Sequence, residues 1–165
     1  MKLLFVCTGN TCRSPMAAVI AGSMAASLGL PLEARSAGVA AWPGQEMTPA
    51  AVQALKDEGW WDEGVHESTP VTPELMEWAD LVLTMTRAHK EQLALQYPHF
   101  ADKVETLKGY ARARGASGEA DGEMDEDVLD PYGQGREVYR SCAVELAREI
   151  EQVLRAILER DAEGS

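Results

Sequence analysis

Apolar positions fall into short runs separated by longer segments of helical spacing. Leu3 to Cys7 and Leu81 to Met85 are nearly unbroken apolar runs. Such runs are the pattern of strands buried on both faces. Glu33 to Ser36 and Val104 to Leu107 read as a second and a fourth strand. Met16 to Leu28 is rich in Ala and Met without an internal breaker, which predicts a helix. Thr48-Pro49 and Thr72-Pro73 each place a capping residue before a proline at the first helical position. Val138, Cys142, Leu146, Ile150, Val153 and Ile157 recur at helical spacing and form one apolar stripe of a C-terminal helix. Strands alternating with helices predict βαβ units and a parallel sheet covered on both faces.

One stretch breaks the pattern. Arg112 to Asp127 is rich in Gly, Ala and acidic residues with no apolar period, and reads as a flexible acidic loop leading to Asp130. The rest is consistent with a single domain over residues 1–165, since 165 residues at 45% hydrophobic content suffice for one core.

Charge narrows the partners. A formal net charge of −12 repels nucleic acid and anionic membrane, so neither is expected as a partner. No apolar run is long enough to span a bilayer. The apolar start ends at Thr8-Gly9-Asn10, which makes it a buried strand rather than a signal peptide. The 3 cysteines do not form a disulfide framework, and a reducing cytoplasmic setting is expected.

The chemistry concentrates in Cys7-Thr8-Gly9-Asn10-Thr11-Cys12-Arg13-Ser14-Pro15. This loop leaves the carboxyl end of the first strand and enters a helix, where open α/β sheets bind ligands. Successive inward amides make an anion nest, and the helix N-terminus adds its positive end. Gly9 removes a Cβ from the loop, and Asn10 tolerates the left-handed backbone region. Ser14 is placed to cap the helix, with Pro15 behind it. Arg13 presents a planar fork to phosphate oxygens. Cys7 lies beneath them, placed for in-line attack on phosphorus as the thiolate. A Walker loop is excluded because Gly-Lys-Ser/Thr is absent. Zinc is disfavoured because Cys142 sits on the core stripe and no His pair has ligand spacing. No cofactor is called for, since Arg13, the loop amides and the helix dipole can meet the phosphate charge.

Val6 to Pro15 resembles the signature of the low-molecular-weight protein tyrosine phosphatases. The similarity extends through Ser36-Ala37-Gly38, His66, Ala79 to Leu83 and Asp130-Pro131-Tyr132. The resemblance implies a three-layer sandwich, with a four-stranded parallel sheet flanked by helices. It assigns Asp130 as general acid and then base, with Pro131 restricting it to an extended conformation. It implies a network of Asn10, Ser14, Ser36 and His66 supporting the phosphate loop, and cleft walls at Trp42 and Tyr132. His89 and His99 have no match and are read as solvated.

Thr11 stands where tyrosine-specific members carry a larger apolar residue. Together with Glu74-Leu75-Met76 and Thr106-Leu107-Lys108, it resembles the protein-arginine phosphatase branch. A small side chain with a hydroxyl suits a guanidinium better than an aryl ring. Phosphotyrosine is the runner-up, and Tyr132 favours it. The substrates implied are phosphorylated proteins. An arsenate reductase would need further cysteines near Leu81 to Met85, and none is there. A non-catalytic phosphate-binding module would not need Cys7 or Asp130. Cys12 is five residues from Cys7, so oxidised Cys7 is expected to be trapped as a reversible Cys7–Cys12 disulfide.

Overall fold

The computed structural model describes residues 1–61, 64–114 and 125–163. Four parallel strands, β1 (Lys2–Cys7), β2 (Glu33–Gly38), β3 (Leu81–Thr84) and β4 (Val104–Thr106), lie in the order β2-β1-β3-β4. The chain first steps from β1 to β2 on one side, and later places β3 on the other side of β1. The carboxyl end of β1 is therefore a topological switch point, where loops diverge and leave a crevice.

Alternation along β1 builds the two cores. Leu3, Phe5 and Cys7 point to a face covered by α1 (Arg13–Leu28), α2 (Pro49–Asp57), α5 (Leu107–Arg114) and α6 (Arg136–Glu163). Leu4 and Val6 point to the opposite face, under α3 (Pro73–Trp78) and α4 (Arg87–Gln96). The predicted stripe on α6 faces inward at Cys142, Leu146, Ile150, Val153 and Ile157, all buried. Phe5 is fully buried, and its truncation to Ala would cost about 3–5 kcal/mol. The three-layer α/β sandwich expected from the sequence is the fold observed. No helix among the described residues is long and apolar enough to cross a membrane.

Capping differs in detail. Thr72 Oγ1 accepts from Leu75 N at 3.2 Å, as expected of a cap. Thr48 precedes α2 but makes no side-chain cap. Its hydroxyl instead turns back to the Thr11 carbonyl at 3.5 Å, and its N–H donates to the same carbonyl at 3.0 Å. The expected loop from Arg112 is shorter at both ends. Arg112 to Arg114 complete α5, and Asp125 to Asp127 are held by hydrogen bonds. Its centre, 115–124, lies outside the described residues.

Candidate active site

The segment from Thr8 to Cys12 leaves β1 and turns tightly into α1, which begins at Arg13. Asn10 supplies the turn with a φ of 58°, so the left-handed residue expected of it is present. Gly9 is less demanding, since a Cβ there would meet nothing closer than Thr11 Oγ1 at 3.8 Å. The tighter requirement is at Gly38, in the neighbouring strand. A Cβ on Gly38 would collide with the Thr8 carbonyl and lie 3.0 Å from Asn10 N, so the loop passes over a bare backbone. Among the described residues, the backbone N–H groups of Thr8 to Cys12 donate to no protein acceptor. Unpaired donors on one tight loop beside a helix N-terminus form a cradle for an anion.

Ser14 does not cap α1 as expected. Its Oγ accepts from Asn10 Nδ2 at 2.8 Å and lies 2.8 Å from Cys7 Sγ. With a lone pair taken by Asn10, its O–H can turn to a thiolate at Cys7, which can only accept, in place of the Ala37 carbonyl 3.4 Å away. Asn10 is itself fixed from two sides. Thr69 N donates to its side-chain oxygen at 2.8 Å, and His66 Nε2 donates to its carbonyl at 2.7 Å. The structure thus brings Asn10, Ser14 and His66 together, but not Ser36. No hydrogen bond joins the Ser36 side chain to the loop among the described residues. Ser36 shares the Phe5 side of the sheet and faces a groove beside α1. Thr69 provides the support expected of Ser36, and no local sequence signal marked it.

Arg13 is 5% exposed. Its Nη1 donates to the Val128 carbonyl at 2.9 Å, and its Nη2 is 3.6 Å from the half-exposed Asp130 carboxylate. Asp130 reaches the pocket because the segment before it is fastened down. Val128 N donates to Met85 O at 2.8 Å, continuing from β3. The Asp127 carboxylate accepts from Arg87 N at 2.8 Å, at the start of α4. The Glu126 carboxylate meets Arg87 and Thr106.

Cys7, Arg13, Asp130 and Tyr132 line one cleft of about 250 Å³ together with residues 8–12 and Gln45. Trp42, expected as a wall, is 75% exposed and does not line it. Gln45 takes that place, and nothing in the sequence singled it out. A larger groove of about 530 Å³ runs beside β2, but it contains neither Cys7 nor Asp130. The smaller cleft is therefore the one that gathers the candidate catalytic side chains.

Cys12 is buried, with Sγ 3.3 Å from Thr48 Oγ1 and 3.5 Å from the Tyr139 hydroxyl. Burial and the neighbouring Cys12 push the Tyr139 phenol up to about 12, so it stays neutral. Burial, reinforced by Glu145, pushes the Cys142 thiol up to about 12, which leaves it unreactive. His99 is exposed as expected. His89 is not: it is 6% exposed, and its Nε2 lies 2.8 Å from Thr8 Oγ1. No group of His, Cys, Asp and Glu among the described residues is arranged to hold a metal ion.

A buried thiol below unpaired amides, an arginine fork and a carboxylate at the rim can bind a phosphoryl group, attack it and protonate what leaves. Comparisons with known proteins agree. The chain is 44% identical to the protein-arginine-phosphatase of Bacillus subtilis over 95% of this chain and 97% of that one. The arginine phosphatase YwlE of Geobacillus stearothermophilus superposes with a TM-score of 0.86 at 36% identity, over 99% of this chain and 97% of that one. A YwlE arginine phosphatase mutant with a phosphorylated active-site serine superposes with a TM-score of 0.81 at 42% identity, over 94% of each chain. Residues 2–163 match the model of the low molecular weight phosphotyrosine protein phosphatases, and the chain belongs to that family.

Proposed function

We propose that this chain hydrolyses phosphoarginine in proteins through a phosphocysteine on Cys7. The Cys7 thiolate attacks phosphorus while the loop amides and Arg13 hold the phosphoryl oxygens. The P–N bond breaks as Asp130 gives its proton to the departing guanidine, which leaves as arginine. Asp130 then takes a proton from water, the water oxygen attacks phosphorus, and the P–S bond breaks to return the thiolate and release inorganic phosphate. Asn10, Ser14 and His66 keep the loop in shape for both steps. Tyr132 and Gln45 border the entrance.

The observation that carries the arginine assignment is Thr11 in the lining of the cleft that Asp130 also lines. A threonine leaves width for a planar guanidinium and offers it a hydroxyl, while Asp130 complements the positive charge that develops on it. The relatives named for arginine phosphatase activity support the same reading. We place the reaction in a reducing cytoplasm, which suits a site built on a free thiol and the three free cysteines of the chain.

The test is kcat/KM on a phosphoarginine-bearing protein against a phosphotyrosine peptide, with Cys7→Ser as control. The reading expects a strong preference for phosphoarginine, and Thr11→Ile should shift the ratio toward phosphotyrosine by about tenfold or more. A preference of the unaltered chain for phosphotyrosine would keep the Cys7 chemistry and overturn the assignment of substrate.

A further inference from the structure

His89 is the one buried imidazole among the described residues, and the mechanism above makes no use of it. His89 lies in the first turn of α4, where its backbone N–H donates to Thr86 Oγ1 at 3.1 Å. Because α4 follows β3, and β3 neighbours β1, this turn lies against the start of the phosphate loop. There the ring meets Thr8, with Nε2 2.8 Å from Oγ1. Nδ1 is buried and has no hydrogen-bond partner among the described residues.

That asymmetry sets the tautomer. Burial, together with the positive charge of Arg13, holds His89 down at about 4, so the ring is neutral and carries one proton near neutral pH. The carboxylates of Asp127 and Asp130 oppose that shift less strongly. A proton on Nδ1 would be a buried donor without an acceptor, a rare and costly arrangement. With the proton on Nε2, His89 donates to Thr8 Oγ1 and leaves only a bare lone pair at Nδ1. Thr8 then accepts from the imidazole, and its own hydroxyl hydrogen has no acceptor among the described residues. Thr8 lines the cleft that holds Cys7 and Arg13.

We propose that His89 is a positioning residue that turns the Thr8 hydroxyl hydrogen toward the phosphoryl group bound over Cys7, adding a side-chain donor to the loop amides. A threonine hydroxyl alone rotates among three staggered positions. Accepting from a fixed imidazole N–H restricts that rotation, so the donor is in place before the anion arrives. The proposal rests on the phosphatase reading of the cleft, and phosphate binding tests it separately from turnover.

The test measures the dissociation constant of inorganic phosphate by calorimetry, and kcat/KM on an aryl phosphate, for the unaltered chain and four variants. These are Thr8→Val, His89→Phe, His89→Gln and the double variant Thr8→Val/His89→Phe. Thr8→Val and His89→Phe should each weaken phosphate binding roughly three- to tenfold. The double variant should be no weaker than either single one, because both remove the same donor. His89→Gln, whose amide can donate from nearly the same place, should recover most of the loss. Phosphate binding by Thr8→Val equal to that of the unaltered chain overturns the proposal, as does a double variant whose losses multiply. If His89→Phe does not fold, Thr8→Val against His89→Gln carries the comparison. A chain that binds phosphate with the expected variant pattern but turns over no phosphate ester would sink the phosphatase reading and leave the His89–Thr8 pair standing.

Discussion

Arg13 donates to the carbonyl of Val128 at 2.9 Å, and this bond joins the phosphate loop to the segment that carries Asp130. The same guanidinium reaches toward the Asp130 carboxylate at 3.6 Å. In the proposed mechanism, the residue that meets the phosphate thus also sets where the proton donor stands. Cys7, Arg13 and Asp130, the proposed nucleophile, anion clamp and acid, are assembled from the ends of β1 and β3, so their geometry is a property of the sheet.

Asp130→Asn removes the proton donor while keeping the shape. It should lower kcat on phosphoarginine substrates by about 10²–10⁴-fold with little change in KM. Steady-state kinetics across pH checks this, and an unchanged kcat would remove Asp130 from the mechanism.

Gly109→Ala tests how Asp130 is held. A Cβ at Gly109 would lie 2.5 Å from both Glu126 Oε1 and Thr106 Oγ1, displacing the carboxylate that engages Arg87. We expect a stability loss of about 1–3 kcal/mol by denaturant unfolding and a fall in kcat larger than any change in phosphate affinity. Wild-type kinetics in this variant would show that the Glu126 clamp does not position the acid.

The buried His89 predicts a pH effect with a definite sign. Folding lowers its pKa from 6.5 to about 4, so the unfolded chain binds more protons in that window. Stability is therefore full above about 6.5, falls as pH drops, and has lost the whole contribution below about 4. Solvent in the adjoining cleft screens the effect, which leaves a loss of about 2 kcal/mol. To isolate His89, the readout is the difference in melting temperature between the unaltered chain and His89→Gln across pH 4 to 7. Toward acid the unaltered chain should lose stability relative to His89→Gln, and parallel curves would contradict the assignment.

Much of this was legible in advance. The runs at Leu3 to Cys7 and Leu81 to Met85 became β1 and β3 because strands buried on both faces leave no polar alternation to confuse. The α6 stripe was as clear, since a long helix repeats its signal. The cleft residues Cys7, Arg13, Asp130 and Tyr132 came from a contiguous motif and one downstream tripeptide. What stayed hidden depends on distant contacts. α4 buries only His89 and Leu93, too few positions to show a period, so neither the helix nor the burial of His89 was visible. Thr8 and His89 meet across 81 residues, a separation no local pattern encodes. Ser36 erred in the opposite direction. Its motif suggested a role in the loop, but strand alternation turns its side chain to the groove by α1, and Thr69 supports Asn10 instead.

Peroxide should inactivate the enzyme reversibly. On this expectation, peroxide would oxidise the Cys7 thiolate to a sulfenic acid, the Cys12 thiol would attack that sulfur, and water would leave as a disulfide forms. A dithiol reductant then restores both thiols. Activity should recover fully in the unaltered chain and poorly in Cys12→Ser, where Cys7 is left to over-oxidise. Equal recovery in both would rule out the Cys7–Cys12 disulfide.

The central claim is a phosphoryl group carried on sulfur. Its most direct measurement is rapid quenching of the Asp130→Asn variant during turnover, followed by mass spectrometry of the peptide that contains Cys7. With an aryl phosphate whose leaving group needs no proton, Asp130→Asn slows only hydrolysis of the intermediate, so the phosphoryl group should accumulate on Cys7, and none should appear on cysteine in the Cys7→Ser/Asp130→Asn variant. Product formation without any phosphoryl group on Cys7, at times shorter than one turnover, would contradict the account.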